Sequence, residues 1–123
     1  MKSLLIFFTL LCVGSFSNEE TVTWDETSKL TWADFKAEPD AESDAVALTT
    51  SGITFGYSLN TAGKRIAAVS TTVEAHFYPN KSWYLKDKGN AHILAHEQLH
   101  FDITELYARK FRQQLAELEV NQN

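Results

Sequence analysis

Residues 91–119 read AHILAHEQLHFDITELYARKFRQQLAELE and contain neither glycine nor proline. Asn90 stands just ahead of them and is a residue type that caps helix N-termini through its side-chain oxygen. Apolar residues recur at Leu99, Ile103, Leu106, Phe111, Leu115 and Leu118, close to helical spacing. Glu105 and Arg109 stand four apart with the acid first, the favourable order for an ion pair on a helix surface. The stretch predicts one long helix. Its last turn carries Glu117 and Glu119, the unfavourable sign for a helix C-terminus, which points to a frayed end or to a chain that continues.

Inside this helix, His96-Glu97-Gln98-Leu99-His100 spells H-E-x-x-H. Residues four apart lie one turn up the same helix face, so two imidazoles so spaced can share one zinc ion at about 2.0–2.1 Å. Glu97 is then placed to act as general base, taking a proton from a water that the metal acidifies and passing it to a leaving amine. The chemistry implied is metal-assisted hydrolysis of a peptide bond. Zinc normally takes a third protein ligand, and the spacing offers no clean one. Asp102 and Glu105 point roughly 200° and 140° away from His100 on an unbroken helix, and Glu117 lies about 25 Å further along. Asp102 reads better as a second-rank or structural hydrogen-bonding group. His92 and His100 are about 12 Å apart along the axis, too far for one ion with His96 between them, so His92 reads as an exposed residue. His76 is an accessory candidate that faces the metal, steadies an oxyanion, or lies on the surface. Tyr107, near the metal-facing side, is either a transition-state donor or a packed core tyrosine.

Working outward, Val46–Leu59 is rich in Thr, Ile, Phe and Tyr and predicts a strand, with Gly52 and Gly56 as candidate bulges. Residues 60–64 (NTAGK) predict a turn, and Arg65–Tyr78 alternates as a second strand, which makes a hairpin. Residues 36–45 and 79–90 read as loops, residues 30–35 (LTWADF) as a short aromatic element, and residues 18–28 as loose apart from Val22 and Trp24. Trp32, Phe35, Trp83 and Phe101 are candidate core aromatics.

At the other end, Lys2 followed by the uncharged run Leu4–Val13, with Ser15 and Ser17 before Asn18, has the layout of a secretory signal peptide. The apolar run is too short to span a bilayer. Residues 1–17 are therefore expected to be removed, leaving 18–123 as one domain with no membrane span, in the periplasm or outside the cell. Cys12, the single cysteine, goes with them, and a cysteine-free chain suits an oxidising compartment. The balance of 44% hydrophobic and 22% charged residues over 123 positions is that of one globular domain. Sixteen acids against eleven bases, with no basic block, argue against nucleic acid as a partner.

The stretch HILAHEQLHFDITELYARK resembles the active helix of a bacterial family of predicted secreted zinc-dependent proteases, a domain of unknown function. The family's L-x-W-x-D-F element is matched by Leu30, Trp32, Asp34 and Phe35. Its Ser-Trp pair is matched by Ser82 and Trp83. Its H-E-Q-x-H-F-D core is matched by His96, Glu97, Gln98, His100, Phe101 and Asp102. The resemblance covers about residues 24–115. It implies an α+β, zincin-like fold with a small antiparallel sheet packed on one long C-terminal helix, and a peptide or protein substrate lying along a sheet edge as an added strand. The family pattern continues past the helix with a Y-D-x-E-T-x-H-like motif that this sequence lacks. If that stretch supplies the third zinc ligand, this chain is expected to be a fragment, a short variant or a degenerate member.

The leading expectation is thus an exported zinc metallopeptidase with His96 and His100 as ligands and Glu97 as base. The alternative is a catalytically inactive zincin-like envelope binding module. A weaker third reading is a metal-storage protein using His76, His92, His96 and His100. Substrate and oligomeric state are not legible.

Overall fold

The protein, here a computed structural model, is described over residues 18–121, with side chains to residue 118. The expected signal peptide, 1–17, lies outside the described residues. The architecture is mixed α+β. In chain order it comprises β1 (Val22–Thr23), a 3-10 turn at Trp32–Asp34, β2 (Ala47–Leu48), β3 (Ser51–Ala62), β4 (Arg65–Phe77), a second 3-10 turn at Pro79–Lys81, β5 (Trp83–Tyr84) and α1 (Ala91–Asn121). The three longer-range strands are antiparallel in the order β1-β4-β3, and β2 pairs with β5 in a separate two-stranded ladder.

The β3–β4 hairpin is the backbone of the sheet, running from the pair Ser51↔Phe77 to Ala62↔Arg65. Its strands run closer to the tip than the sequence suggests, while the single strand expected over Val46–Leu59 is divided into β2 and β3. The expected turn at 60–64 contracts to Gly63 and Lys64, with Gly63 at φ 64°, a conformation that costs glycine nothing. Gly52 and Gly56 are not bulges, because register runs unbroken past both; the shift falls at Asn60/Thr61. Gly56 instead admits close approach, since a Cβ there would come within 2.8 Å of the Thr72 hydroxyl. Within residues 18–28, Val22, set apart from the loose remainder by the sequence, lies in a strand that Thr23 shares. Val22 and Thr23 pair with Phe77 and His76, so β1 covers one edge of β4.

Alternation on β4 sends Val73, Ala75 and Phe77 to one face, where α1 packs over them. The helix contributes Leu94, Phe101, Ala108, Phe111 and Leu115 to this core. Leu94, Phe101, Ala108 and Leu115 recur every seven residues and form one line along the helix. Of the six apolar positions at helical spacing, Phe111 and Leu115 pack against this core, whereas Leu99, Ile103, Leu106 and Leu118 are exposed, Leu99 by 58%. The buried face was obscured because it includes a small residue, Ala108, and two buried acids, Glu97 and Glu105. Glu105 is paired with Arg112 at 3.0 Å and with Arg109 at 3.2 Å, the latter as the spacing predicts. Arg112 also donates through Nε to the carbonyl of Val73, which ties the helix to β4.

The loops close the core from the other end. Phe35 meets Phe77 edge-on at 5.0 Å, and Trp32 stacks on Tyr84 at 4.3 Å. Asp34 accepts the Thr31 N–H and closes the 3-10 turn that presents these rings. The buried Ser82 hydroxyl accepts from the Thr50 N–H and donates to the Tyr78 carbonyl, pinning β5 beside β3. Phe101→Ala, which empties the centre of the helix–sheet seam, is expected to lower stability by about 3–5 kcal/mol, read by urea unfolding.

Candidate metal centre

Asn90 starts α1 as the sequence predicts, its side-chain oxygen accepting the Ile93 N–H at 2.9 Å. With the phase of the helix fixed by Phe101 and Ala108, His96 and His100 fall on its open side, one turn apart. Their Nε2 atoms converge to 3.1 Å, and the rings stand nearly perpendicular at 88°. Both histidines are exposed. Glu97, about 100° round the helix from His96, turns inward to Thr49 and is only 5% exposed. One ligand atom from each of His96, Glu97 and His100 lies within 4.8 Å of the others, and this group can hold a metal ion.

Glu97 is held by Thr49, on the segment between β2 and β3. The Thr49 hydroxyl donates to Glu97 Oε2 at 2.5 Å. Sequence reasoning missed this threonine, and the only available signal was a hydroxyl residue within a strand-like run. A second contact of the same kind follows, where the hydroxyls of Ser51 and Thr104 are 2.7 Å apart. Glu97 and Thr104 both face the chain that leads into β3. The histidines therefore lie on the flank of α1 next to β3, whose outer edge is unpaired among the described residues.

The accessory candidates do not join the pair. His76 is buried on the face of β4 opposite to Val73, Ala75 and Phe77, and so away from α1. Its ring nitrogens bond the Thr23 hydroxyl at 3.2 Å and the Thr54 hydroxyl at 2.8 Å, and Glu74 lies 3.4 Å from it. It is a cross-strand clasp. Asp102 is structural, as its angle implies: Oδ1 accepts the Trp24 indole N–H and the Gln98 amide, both at 2.9 Å. Gln98 in turn accepts the Leu30 N–H at 2.7 Å. Tyr107 is not a core residue; it is 57% exposed on the histidine side, with Lys110 over its ring. His92 is exposed and outside the cluster, as expected. Of the aromatics read as core, Phe35, Trp83 and Phe101 are buried and Trp32 is half-buried.

Residues 22–123 match a bacterial family of proteins of unknown function, DUF922. The chain belongs to this family. No curated protein and no solved structure matches it. The DUF922 chain has no helix among its described residues long and apolar enough to cross a membrane.

The Thr49 contact makes a specific demand, because the buried Glu97 carboxylate has no other side-chain donor among the described residues. Thr49→Val is expected to cost about 1–3 kcal/mol, whereas Thr49→Ser, which keeps the hydroxyl, costs less than about 1 kcal/mol. Thermal or urea unfolding of the two variants checks this.

Proposed function

We propose that the protein is an exported zinc-dependent metallopeptidase with a zincin-like fold. The observation that carries this reading is the convergence of His96 and His100 beside a buried, oriented Glu97. Two nitrogens on one tetrahedral zinc, each at about 2.0–2.1 Å, stand roughly 3.3 Å apart. The 3.1 Å between the two Nε2 atoms fits that requirement with little movement. When bound, zinc would supply Lewis acidity, polarising a carbonyl and lowering the pKa of a water.

The chain's own residues would do the rest. His96 and His100 would hold the ion through their Nε2 atoms. Glu97 acts as general base toward water and returns the proton to the leaving amine. Thr49 occupies Oε2 of that carboxylate, which fixes its rotamer and leaves Oε1 without a hydrogen-bond partner among the described residues. The unpaired edge of β3 supports a peptide or protein substrate bound as an added strand, which would run beside the histidine flank of the helix. Export rests on the signal-peptide pattern at residues 1–17 and on a chain that lacks cysteine beyond it.

A zincin-like binding module without catalysis is the second reading. It is favoured by one observation: the group around the pair contains two histidines and one acid, and no further histidine or acid among the described residues.

Zinc content and hydrolysis separate the two. The chain from Asn18 is expected to bind about one zinc per molecule, and His100→Ala none, by elemental analysis. Glu97→Gln is expected to keep the metal and lose at least about a hundredfold in peptide hydrolysis. Full activity of that variant would overturn the assignment of the base. Absence of zinc from a folded wild-type chain would leave the binding module.

A further inference from the structure

The distal half of the β3–β4 hairpin is amphipathic and uncovered among the described residues. Leu59 pairs with Val69, so their side chains share a face, and Tyr57 lies two residues along on the same side. Ile66 is an odd number of residues from Val69 and in an unbroken strand would point to the opposite face. The register shift at Asn60/Thr61 pairs Ile66 with Thr61 instead, which returns it to the face of Leu59 and Val69. The other face carries Ser58, Ser70 and Thr72, with Ser58 and Ser70 hydrogen-bonded across the strands. Nearer the core, the apolar face is closed by the helix, where Phe55 packs on Phe111 at 5.5 Å. Further out nothing among the described residues closes it: Tyr57 is 68% exposed and Ile66 63%, with Leu59 and Val69 each about half exposed.

Charge says what covers it. The chain carries a net −5, yet no acid occurs between Asp44 and Glu74, and the only charged residues in that span are Lys64 and Arg65 at the hairpin tip. Both are exposed. A second copy packed on this face would bring another basic tip and no hairpin acid to pair with it. Apolar and tyrosine side chains beside a Lys-Arg tip match the layered chemistry of a lipid headgroup region. There the aromatic and aliphatic groups enter the acyl boundary and the cations remain at the phosphates. We propose that the β3–β4 hairpin docks the protein on an anionic lipid surface, with Tyr57, Leu59, Ile66 and Val69 in the interface and Lys64 and Arg65 on the lipid phosphates.

This inference is independent of the metal site. It is tested by flotation of the chain from Asn18 with phosphatidylcholine vesicles containing about a quarter phosphatidylglycerol, and with phosphatidylcholine alone. Binding to the anionic vesicles, weakened by salt and much lower on the neutral ones, is expected. Lys64→Gln with Arg65→Gln should weaken partitioning about thirtyfold. Leu59→Ser with Ile66→Ser should remove it while the far-ultraviolet circular dichroism stays that of the wild type. His100→Ala should bind as the wild type does. A folded wild-type chain that stays in the aqueous fraction overturns the proposal. So does equal binding to both vesicle types that the charge variant leaves unchanged. A dimer in sedimentation that the Leu59 and Ile66 variant dissolves, without lipid binding, would assign the face to a second copy.

Discussion

The seam between α1 and β4 sets the position of everything else. Phe101 and Ala108 enter the row formed by Val73, Ala75 and Phe77, and burying a phenylalanine there is worth about 1.5–3 kcal/mol in apolar transfer alone. The seam has a geometric consequence larger than that contribution. A helix packed by one line of side chains has its rotation fixed, and successive residues then point about 100° apart. With Phe101 inward, Glu97 must lie at the border of the core and His96 and His100 must face out. The geometry of the candidate metal group is thus a by-product of hydrophobic phase. It needs no element of its own beyond Thr49, which orients the one acid that the phase has buried.

The sequence showed the helix, its Asn90 start, the hairpin and the i, i+4 histidines, and all four are present, with the hairpin's turn contracted to Gly63 and Lys64 and its first strand divided into β2 and β3. Local signals were sufficient there, because glycine-free helical runs, strand-rich segments around a Gly turn and i, i+4 histidines do not depend on distant partners. What the sequence hid depended on such partners. Leu99, Ile103 and Leu106 share the apolar periodicity with Phe111 and Leu115, yet only the latter two pack on the core. The stripe passes through Ala108 beside Glu105, which is paired with Arg109 and with Arg112, the latter reaching it from seven residues away and also meeting β4. Thr49 as the partner of Glu97, and β1 as a third strand, likewise exist only once the chain has closed on itself.

His76 illustrates the same limit from the other side. A histidine near a zinc motif in a short chain invites a ligand role. Its parity on β4, however, is opposite to that of Val73, Ala75 and Phe77, and parity is decisive in a strand because the side-chain period is two. The structure satisfies both ring nitrogens with threonine hydroxyls from the flanking strands, so His76 knits β1, β4 and β3 together on the face away from the helix.

The segment H-E-Q-x-H-F-D gains its specificity from pointing in every direction at once. His96 and His100 face solvent. Glu97 meets the chain leading into β3. Phe101 enters the core. Gln98 and Asp102, on the remaining flank, take the Leu30 backbone N–H and the Trp24 indole N–H, fastening the N-terminal segment to the helix. That segment also carries Trp32 and Phe35, so the same few helical residues hold the loops that roof the core. A rotation of the helix by one residue would break the core contact, the Thr49 bond and both N-terminal bonds together. Fold and candidate site are therefore not separable here, because the residues that orient the acid and expose the histidines are interleaved, position by position, with those that close the domain.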